Sequence, residues 1–331
     1  VDLGLLRRLS PQLRQEGWQG RAVVRDGQVV ALLPSAAKPL GLAVDLGTTK
    51  IAAYLVALET GETLAARGMM NPQIAYGEDV VARMILAYRD PTQAARQQEL
   101  VAETLNAAVA ELVTEVGAAV EEIVEAVVVA NTAMHHLFLR LPVEQLAKAP
   151  YVPAVQSALD VRARDVGLKI APGACVHLLP NVAGYVGADH VAMALASGLA
   201  SGQGVVLALD IGTNTEVCLV NRGALTSVSC ASGPAFEGAH IKHGMRAATG
   251  AIERVRLVDH QIEYQTIGDA PPVGLCGSGI LDSLAELYRA GIVDAGGRLG
   301  DHPRVRTDDG DGVREFVLGR EKERGGEYAN T

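Results

Sequence analysis

Apolar positions recur along this chain with two periods, and the period changes at glycine, proline and asparagine. Leu3, Leu5, Leu6 and Leu9 suit a short amphipathic helix, and the two apolar runs after it, joined at Asp26-Gly27, suit a hairpin. Pro34 to Pro39 reads as a linker. From Gly41 the pattern predicts three strands, Leu42 to Asp45, Ile51 to Leu58 and Thr63 to Met70, with Thr60-Gly61 as the second turn. A helix is predicted from Gly77-Glu78-Asp79 through Tyr88, stopped by Asp90-Pro91. A longer one is predicted over about Thr92 to Val116, where Val101, Leu105, Val109, Leu112 and Val116 form one stripe. Ile123 to Val129 is β-branched and apolar throughout, a buried strand that hands over at Asn131-Thr132 to a helix over Met134 to Leu139. Pro142 to Pro172 carries several prolines and no period, and is expected to be a peripheral insertion.

Val176 to Leu179 then leads through Pro180-Asn181 and a glycine-rich stretch into an alanine-rich helix ending at Gly198. After it the three-strand pattern returns: Val205 to Asp210, Thr215 to Val220 and Ala224 to Ala231, with Asn221-Arg222-Gly223 as hairpin turn. The apolar run before Asp210 suits a buried strand. Asp45 and Asp210 stand 165 positions apart in near copies of one pattern, so the chain contains a coarse internal duplication. A repeat of this size predicts two related lobes facing one another, not a solenoid. Ser232 to Gly238 is expected to start a helix, Ala251 to Thr266 to form a hairpin, and Gly274 to Gly279 to open a helix over Ile280 to Ala290. The last 35 residues are charged, glycine-rich and poorly periodic.

Composition narrows this picture in three ways. With 331 residues, 49% of them hydrophobic but only 4% aromatic, the chain can bury a large core packed from Ala, Val and Leu. A net charge of -9 argues against nucleic acid or an anionic membrane as the main partner. Cys175, Cys218, Cys230 and Cys276 spell no metal or cluster spacing, which favours a reduced, cytoplasmic setting, and no apolar run is long enough for a membrane span.

The candidate chemistry lies at the two duplicated turns, Asp45-Leu-Gly-Thr-Thr-Lys50 and Asp210-Ile-Gly-Thr-Asn-Thr-Glu216. In each, a glycine lets backbone N–H groups approach a phosphate, and small polar side chains add donors: Gly47, Thr48 and Thr49 in the first, Gly212, Thr213 and Asn214 in the second. The strand-end Asp45 and Asp210 can hold a hydrated Mg²⁺ or orient a water. Two such turns facing each other would clamp the β- and γ-phosphates of a nucleotide. Lys50 could add a point charge, or simply be solvated at a strand start. Glu216 could reach the same site, though an exposed strand carboxylate is the commoner role. Gly277, Ser278 and Gly279 at a helix start form either an anion nest or a packing device. Asn131-Thr132 and His135-His136 suit a core or capping role better than metal binding.

With both turns in hand, the chain resembles the superfamily of actin, sugar and acetate kinases and heat-shock chaperones, whose two ribonuclease-H-like lobes close on ATP. The fold this implies is α/β: two lobes of the actin-like ATPase fold, the second incomplete, preceded by a small α+β segment. The expected division is 1–40 as a small middle segment and linker, 41–185 as first lobe and 186–331 as second. Longer strings narrow the likeness: Asp45-Leu-Gly-Thr-Thr, Asn71-Pro-Gln, Tyr76-Gly-Glu-Asp-Val80, Asn131-Thr-Ala-Met-His135, Asp210-Ile-Gly-Thr-Asn214, Gly233-Pro-Ala-Phe-Glu-Gly238, Gly244-Met-Arg246 and Cys276-Gly-Ser-Gly279. These resemble the ATP-dependent reductive activators of corrinoid proteins, from about Gly41 to the last residue.

That resemblance implies ATP binding and hydrolysis driving reduction of a cobalt(II) corrinoid to cobalt(I) in a partner methyl-transfer protein, with ATP and Mg²⁺ as cofactors and a homodimer as the assembly. It gives Asp210 the attacking water or metal, Asp45 the hydrated Mg²⁺, and Thr48, Thr49, Thr213 and Asn214 the phosphate oxygens. The family's two-iron two-sulfur cluster is expected in a ferredoxin-like domain before these residues, and its adenosine motif after them. Rival expectations are a sugar or carboxylate kinase of the same fold, and a non-redox ATP-gated scaffold. The activators of radical dehydratases are disfavoured by the cysteine spacing.

Overall fold

The computed structural model describes residues 3–77, 79–199, 204–212, 214–232, 241–258, 261–307 and 312–319. The chain divides into two compact units, Val1–Ala208 with Cys218–Val228, and Leu209–Val217 with Ser229–Thr331. The first begins with helix α1 (Leu3–Gln15) and the antiparallel pair β1 (Arg21–Arg25) and β2 (Gln28–Leu33), whose turn places Asp26 and Gly27 at positive φ. A six-stranded sheet follows, built from β3 (Leu40–Leu46), β4 (Lys50–Ala57), β5 (Thr63–Met70), β6 (Ile123–Val129), β7 (Leu159–Arg162) and β8 (Cys175–Leu178) in the order β5-β4-β3-β6-β8-β7. Strands β3, β6 and β8 run parallel, so their carboxyl ends open on one edge of the sheet.

Helix α2 (Val80–Arg89) starts where Asp79 caps the Ala82 N–H. Helix α3 (Pro91–Val116) starts on Asp90 with Pro91 as its first residue, and ends at Gly117 in the left-handed conformation. The stripe Val101, Leu105, Val109 and Leu112 is buried in one cluster with Leu42, Val44, Leu55 and Val128 of the sheet. Each such buried side chain contributes roughly 1.5–3 kcal/mol. Helix α4 (Thr132–Phe138) begins two residues earlier than the periodicity predicts, because Asn131 accepts the Met134 N–H and stops the strand there.

Two expectations are corrected. Residues 142–172 are not a peripheral insertion: they supply edge strand β7, and Val143, Leu146, Val166 and Leu168 join the main core. Their apolar side chains sit on irregular backbone, so no period betrays their burial. After α5 (Ala188–Ala196), strands β9 (Val205–Ile211), β10 (Asn214–Asn221) and β11 (Ala224–Ala231) form a sheet with β10 in the middle. Here β9 is not a buried strand. Val206 and Ala208 pack with Leu199, Cys218 and Val220, while Val205, Leu207, Leu209 and Ile211 are exposed.

In the second unit β12 (Ala251–Val258) pairs antiparallel with β13 (Gln261–Thr266) and, briefly, parallel with β14 (Gly274–Leu275). Helix α6 (Gly277–Arg289) lies beside β12, where Asp282 and Glu286 accept the Val255 and Leu257 N–H groups beyond the short β14. Strands β15 (Val305–Thr307) and β16 (Arg314–Phe316) pair near the end of the described chain. The helix expected to start over Ser232 to Gly238 lies, from residue 233 onward, outside the described residues. Among the described residues no helix is long and apolar enough to cross a membrane.

Candidate functional site

The first turn is held by two asparagines that the motif itself does not contain. β3 delivers Asp45, exposed at its carboxyl end, and the Leu46–Ile51 pair closes the hairpin around Gly47 to Lys50. A Cβ at Gly47 would stand 2.5 Å from the Lys50 carbonyl oxygen, so no side chain fits there. Asn71 donates its Nδ2 to the Gly47 carbonyl at 2.8 Å and its own N–H to the Thr49 carbonyl at 2.9 Å. Asn131 donates its Nδ2 to Thr48 Oγ1 at 3.0 Å.

Both amides are oriented from the other side. Asn71 Oδ1 accepts the Gln73 N–H and Asn131 Oδ1 accepts the Met134 N–H, each at 2.9 Å, so each cap fixes which way the Nδ2 points. With its oxygen receiving the Asn131 amide, the Thr48 hydroxyl has its proton to offer an outside acceptor such as a phosphate oxygen. The loop before α5 presses on the same place: a Cβ at Gly187 would run into Asn131, and the Asp189 N–H reaches the Ala130 carbonyl at 3.2 Å. Lys50 is exposed.

The second turn is arranged differently. Asp210 is exposed at the end of β9, and the Gly212 N–H reaches the Asn214 carbonyl at 3.1 Å. A Cβ at Gly212 would meet that oxygen at 3.4 Å, which is ordinary contact. Thr213 lies outside the described residues. Thr215 Oγ1 bonds Ser232 Oγ at 2.6 Å, and Glu216 Oε1 accepts the Ser229 hydroxyl at 2.9 Å. Glu216 is half-buried rather than exposed. Burial pushes its carboxyl above the usual range, the Ser229 bond opposes this, and the charge of Asp210 adds to it. The two strands flanking the second turn therefore carry two interacting carboxyl groups, of which Glu216 keeps its proton longer than an isolated glutamate.

The remaining candidates divide between scaffold and site. Gly277 and Ser278 open α6, and Gly279 is buried so tightly against the Ile252 carbonyl that a Cβ would collide with it. The Cys276 N–H also goes to that carbonyl, at 3.2 Å. His135 and His136 are core residues: His136 Nε2 accepts the Ala154 N–H, and burial pushes His135 down to about 4. No group of three or more His, Cys, Asp or Glu placed to hold a metal exists among the described residues. Each turn follows a strand that ends in an exposed aspartate, Asp45 in the first and Asp210 in the second, a side chain of the type that holds a hydrated Mg²⁺, and Gly47 with the Thr48 hydroxyl has the chemistry of a phosphate cradle. The first turn belongs to one unit, and Asp210 to Val217 with α6 to the other. Asn71 and Asn131 carry a sequence signal, an asparagine at a strand end followed by a helix start, but it reads as a cap. Its second use shows only in space.

Two matches to known families divide the chain between them. Residues 40–202 match the RACo middle region, and residues 204–329 match the C-terminal domain of RACo, the ASKHA domain. The chain is 35% identical over 296 residues to the corrinoid activation enzyme RamQ of Eubacterium limosum, covering 88% of this chain and 50% of that protein. It is 26% identical over 287 residues to the [Co(II) methylated amine-specific corrinoid protein] reductase of Methanosarcina barkeri, covering 77% of this chain and 52% of the relative. A solved structure of a reductive activator for corrinoid, iron-sulfur protein superposes with a TM-score of 0.83 at 39% identity, over 98% of this chain and 53% of the other. The chain thus spans about half the length of the relatives it matches. Its fold is that of the actin-like ATPases.

Proposed function

Because the chain belongs to the RACo family, we propose that it is the ATPase part of a reductive activator, in which ATP binding and hydrolysis drive a cobalt(II) corrinoid protein to cobalt(I). The observation that carries this is the first turn: a glycine with no room for a Cβ, and a threonine hydroxyl whose oxygen accepts the Asn131 amide, inside a chain whose named relatives activate or reduce corrinoid proteins. Gly47, Thr48 and Thr49 bind phosphate oxygens from the first lobe, and Gly212, Thr213 and Asn214 from the second. Asp45 and Asp210 hold the hydration shell of Mg²⁺, and Asp210 orients the attacking water. Glu216, with its raised affinity for protons, accepts a proton from that water or returns one to the product. Gly277 to Gly279 contribute close packing at the nucleotide side of the second lobe.

The electron comes from an external low-potential donor, for which the family resemblance points to a ferredoxin-like iron-sulfur domain. Nucleotide binding supplies the linked favourable step: ATP binds one arrangement of the lobes 41–185 and 186–331 better than another, and the corrinoid partner discriminates between the same arrangements. The protein works as a cytoplasmic homodimer. A sugar- or carboxylate-kinase reading finds no support, since the named relatives at 26% identity or more are corrinoid activators or reductases. The test is the absorbance of a cobalt(II) corrinoid protein mixed with the full-length activator, reductant and ATP. An ATP-dependent cobalt(I) spectrum that Asp210→Asn slows by about 10²-fold or more is expected. Wild-type turnover in Asp210→Asn removes that residue from its role, and no cobalt(I) with any cognate partner removes the function.

A further inference from the structure

The register of the six-stranded sheet sets a third asparagine level with Asn131, two strands from the first turn and on the same edge of the sheet. Val44, Val128 and Leu178 stand level on the adjacent parallel strands β3, β6 and β8. Three residues beyond each of them come Gly47, Asn131 and Asn181. Open parallel sheets take their ligands beyond such carboxyl ends. Gly47 and Asn131 already belong to the turn, whereas Asn181 has no part in what has been described.

Asn181 is 5% exposed, and neither its Oδ1 nor its Nδ2 has a hydrogen-bond partner. Its backbone leaves little freedom to find one. The Asn181 N–H is fixed to the Gln156 carbonyl at 2.8 Å, and Val182 and Ala183 both donate to the Val186 carbonyl. The Ala183 carbonyl in turn takes the Thr132 hydroxyl at 2.6 Å, next to Asn131. A buried primary amide with both ends unpaired works against folding, whereas an apolar side chain of the same size there would favour it. Asn71 and Asn131, by contrast, use both ends of their amides.

We propose that Asn181 is a binding residue of the nucleotide site, giving its Nδ2 to a phosphate oxygen and its Oδ1 to a water of the hydrated divalent cation. The proposal rests on the ATP-binding reading of the first turn and adds a third strand to it. An amide suits this ligand because it offers one donor and one acceptor. A bare anion would leave Oδ1 unpaired and facing negative charge, while a hydrated metal-phosphate group satisfies both ends at once.

The experiment is calorimetric titration of the full-length activator and its variants with ATP and Mg²⁺, beside thermal melting without nucleotide. Asn181→Leu is expected to melt at the wild-type temperature or above it and to bind Mg·ATP about tenfold or more weakly. Asn181→Asp, which loses the donor and adds a negative charge, is expected to lose at least as much affinity. If Asn181→Leu does not fold, Asn181→Ala serves the same comparison. Wild-type affinity in a folded Asn181→Leu or Asn181→Ala overturns this proposal alone and leaves an ordered water as the partner of the amide. Absence of Mg·ATP binding by the wild-type full-length activator overturns the ATP-binding reading as well.

Discussion

Strands β3 and β9 are two copies of one strand and turn with opposite fates. Leu40, Leu42, Val44 and Leu46 are at most 3% exposed, while their counterparts Val205, Leu207, Leu209 and Ile211 are 46% to 70% exposed. The apolar pattern is the same, so the difference comes from what covers it. β3 lies between β4 and β6, and its side chains share one cluster with the stripe of α3. β9 is an edge strand, and the described residues bury only its Val206 and Ala208 face. The turns differ in the same sense. The first is tied by Asn71 and Asn131 into two helix starts, whereas the second keeps ordinary contact distances around Gly212 and brings the Asp210 and Glu216 carboxyls within electrostatic reach of each other.

The widest gap between the copies should appear in the core. Leu42→Ala is expected to destabilise the chain by about 2–5 kcal/mol in urea unfolding, and Leu207→Ala by less than about 0.5 kcal/mol. A cost at Leu207 close to that at Leu42 would mean that the second copy is covered in solution, and the contrast would fail. Next come the glycines. Gly47→Ala must move the Lys50 carbonyl and is expected to lose about 1–3 kcal/mol, with a weaker Mg·ATP affinity in titration, while Gly212→Ala changes stability by less than about 0.5 kcal/mol. Equal effects would show that both turns are equally tight.

Asn131→Ala removes the cap of α4 and the tether of Thr48 together. A loss of about 1 kcal/mol in stability is expected, and Mg·ATP affinity should fall further than in a cap-only variant such as Asp79→Ala on α2. Equal affinity in the two variants would reduce Asn131 to a cap. The smallest effect belongs to Glu216. Burial raises its proton affinity in the folded state, so its contribution to stability is fully present below the ordinary glutamate range and is lost as the pH rises through the folded-state value. Glu216→Gln should remove that decline, leaving a variant more stable than wild type at neutral pH and level with it in acid. Parallel stability curves across about pH 4–8 would show that Glu216 is solvated like any surface glutamate.

Much of the first unit was legible because its signals are local. The α3 stripe, the β-branched run of β6 and the Asp26-Gly27 turn each declare themselves within a few residues, and each forms where its period says. Residues 142–172 were not legible, since isolated apolar residues such as Leu146 and Val166 acquire their burial from the sheet edge and not from their neighbours. The same holds at the site. Asp45, Gly47 and Thr48 are a readable string, but the partnership of Thr48 with Asn131 joins residues 83 positions apart, and the unpaired amide of Asn181 is visible only once β8 is set beside β6.

The sequence by itself determined that a strand-turn unit occurs twice, that each copy ends in an aspartate and a glycine, and that the chain resembles a family of ATP-dependent corrinoid activators. These are properties of residue type and spacing, which need no neighbour to be read. Only the tertiary structure decided which copy is buried, which asparagines hold the first turn, and that Glu216 is sheltered enough to bind its proton more tightly than an exposed glutamate. Burial and hydrogen bonding depend on groups brought together from distant parts of the chain, and the same apolar strand is core or surface according to what lies across from it.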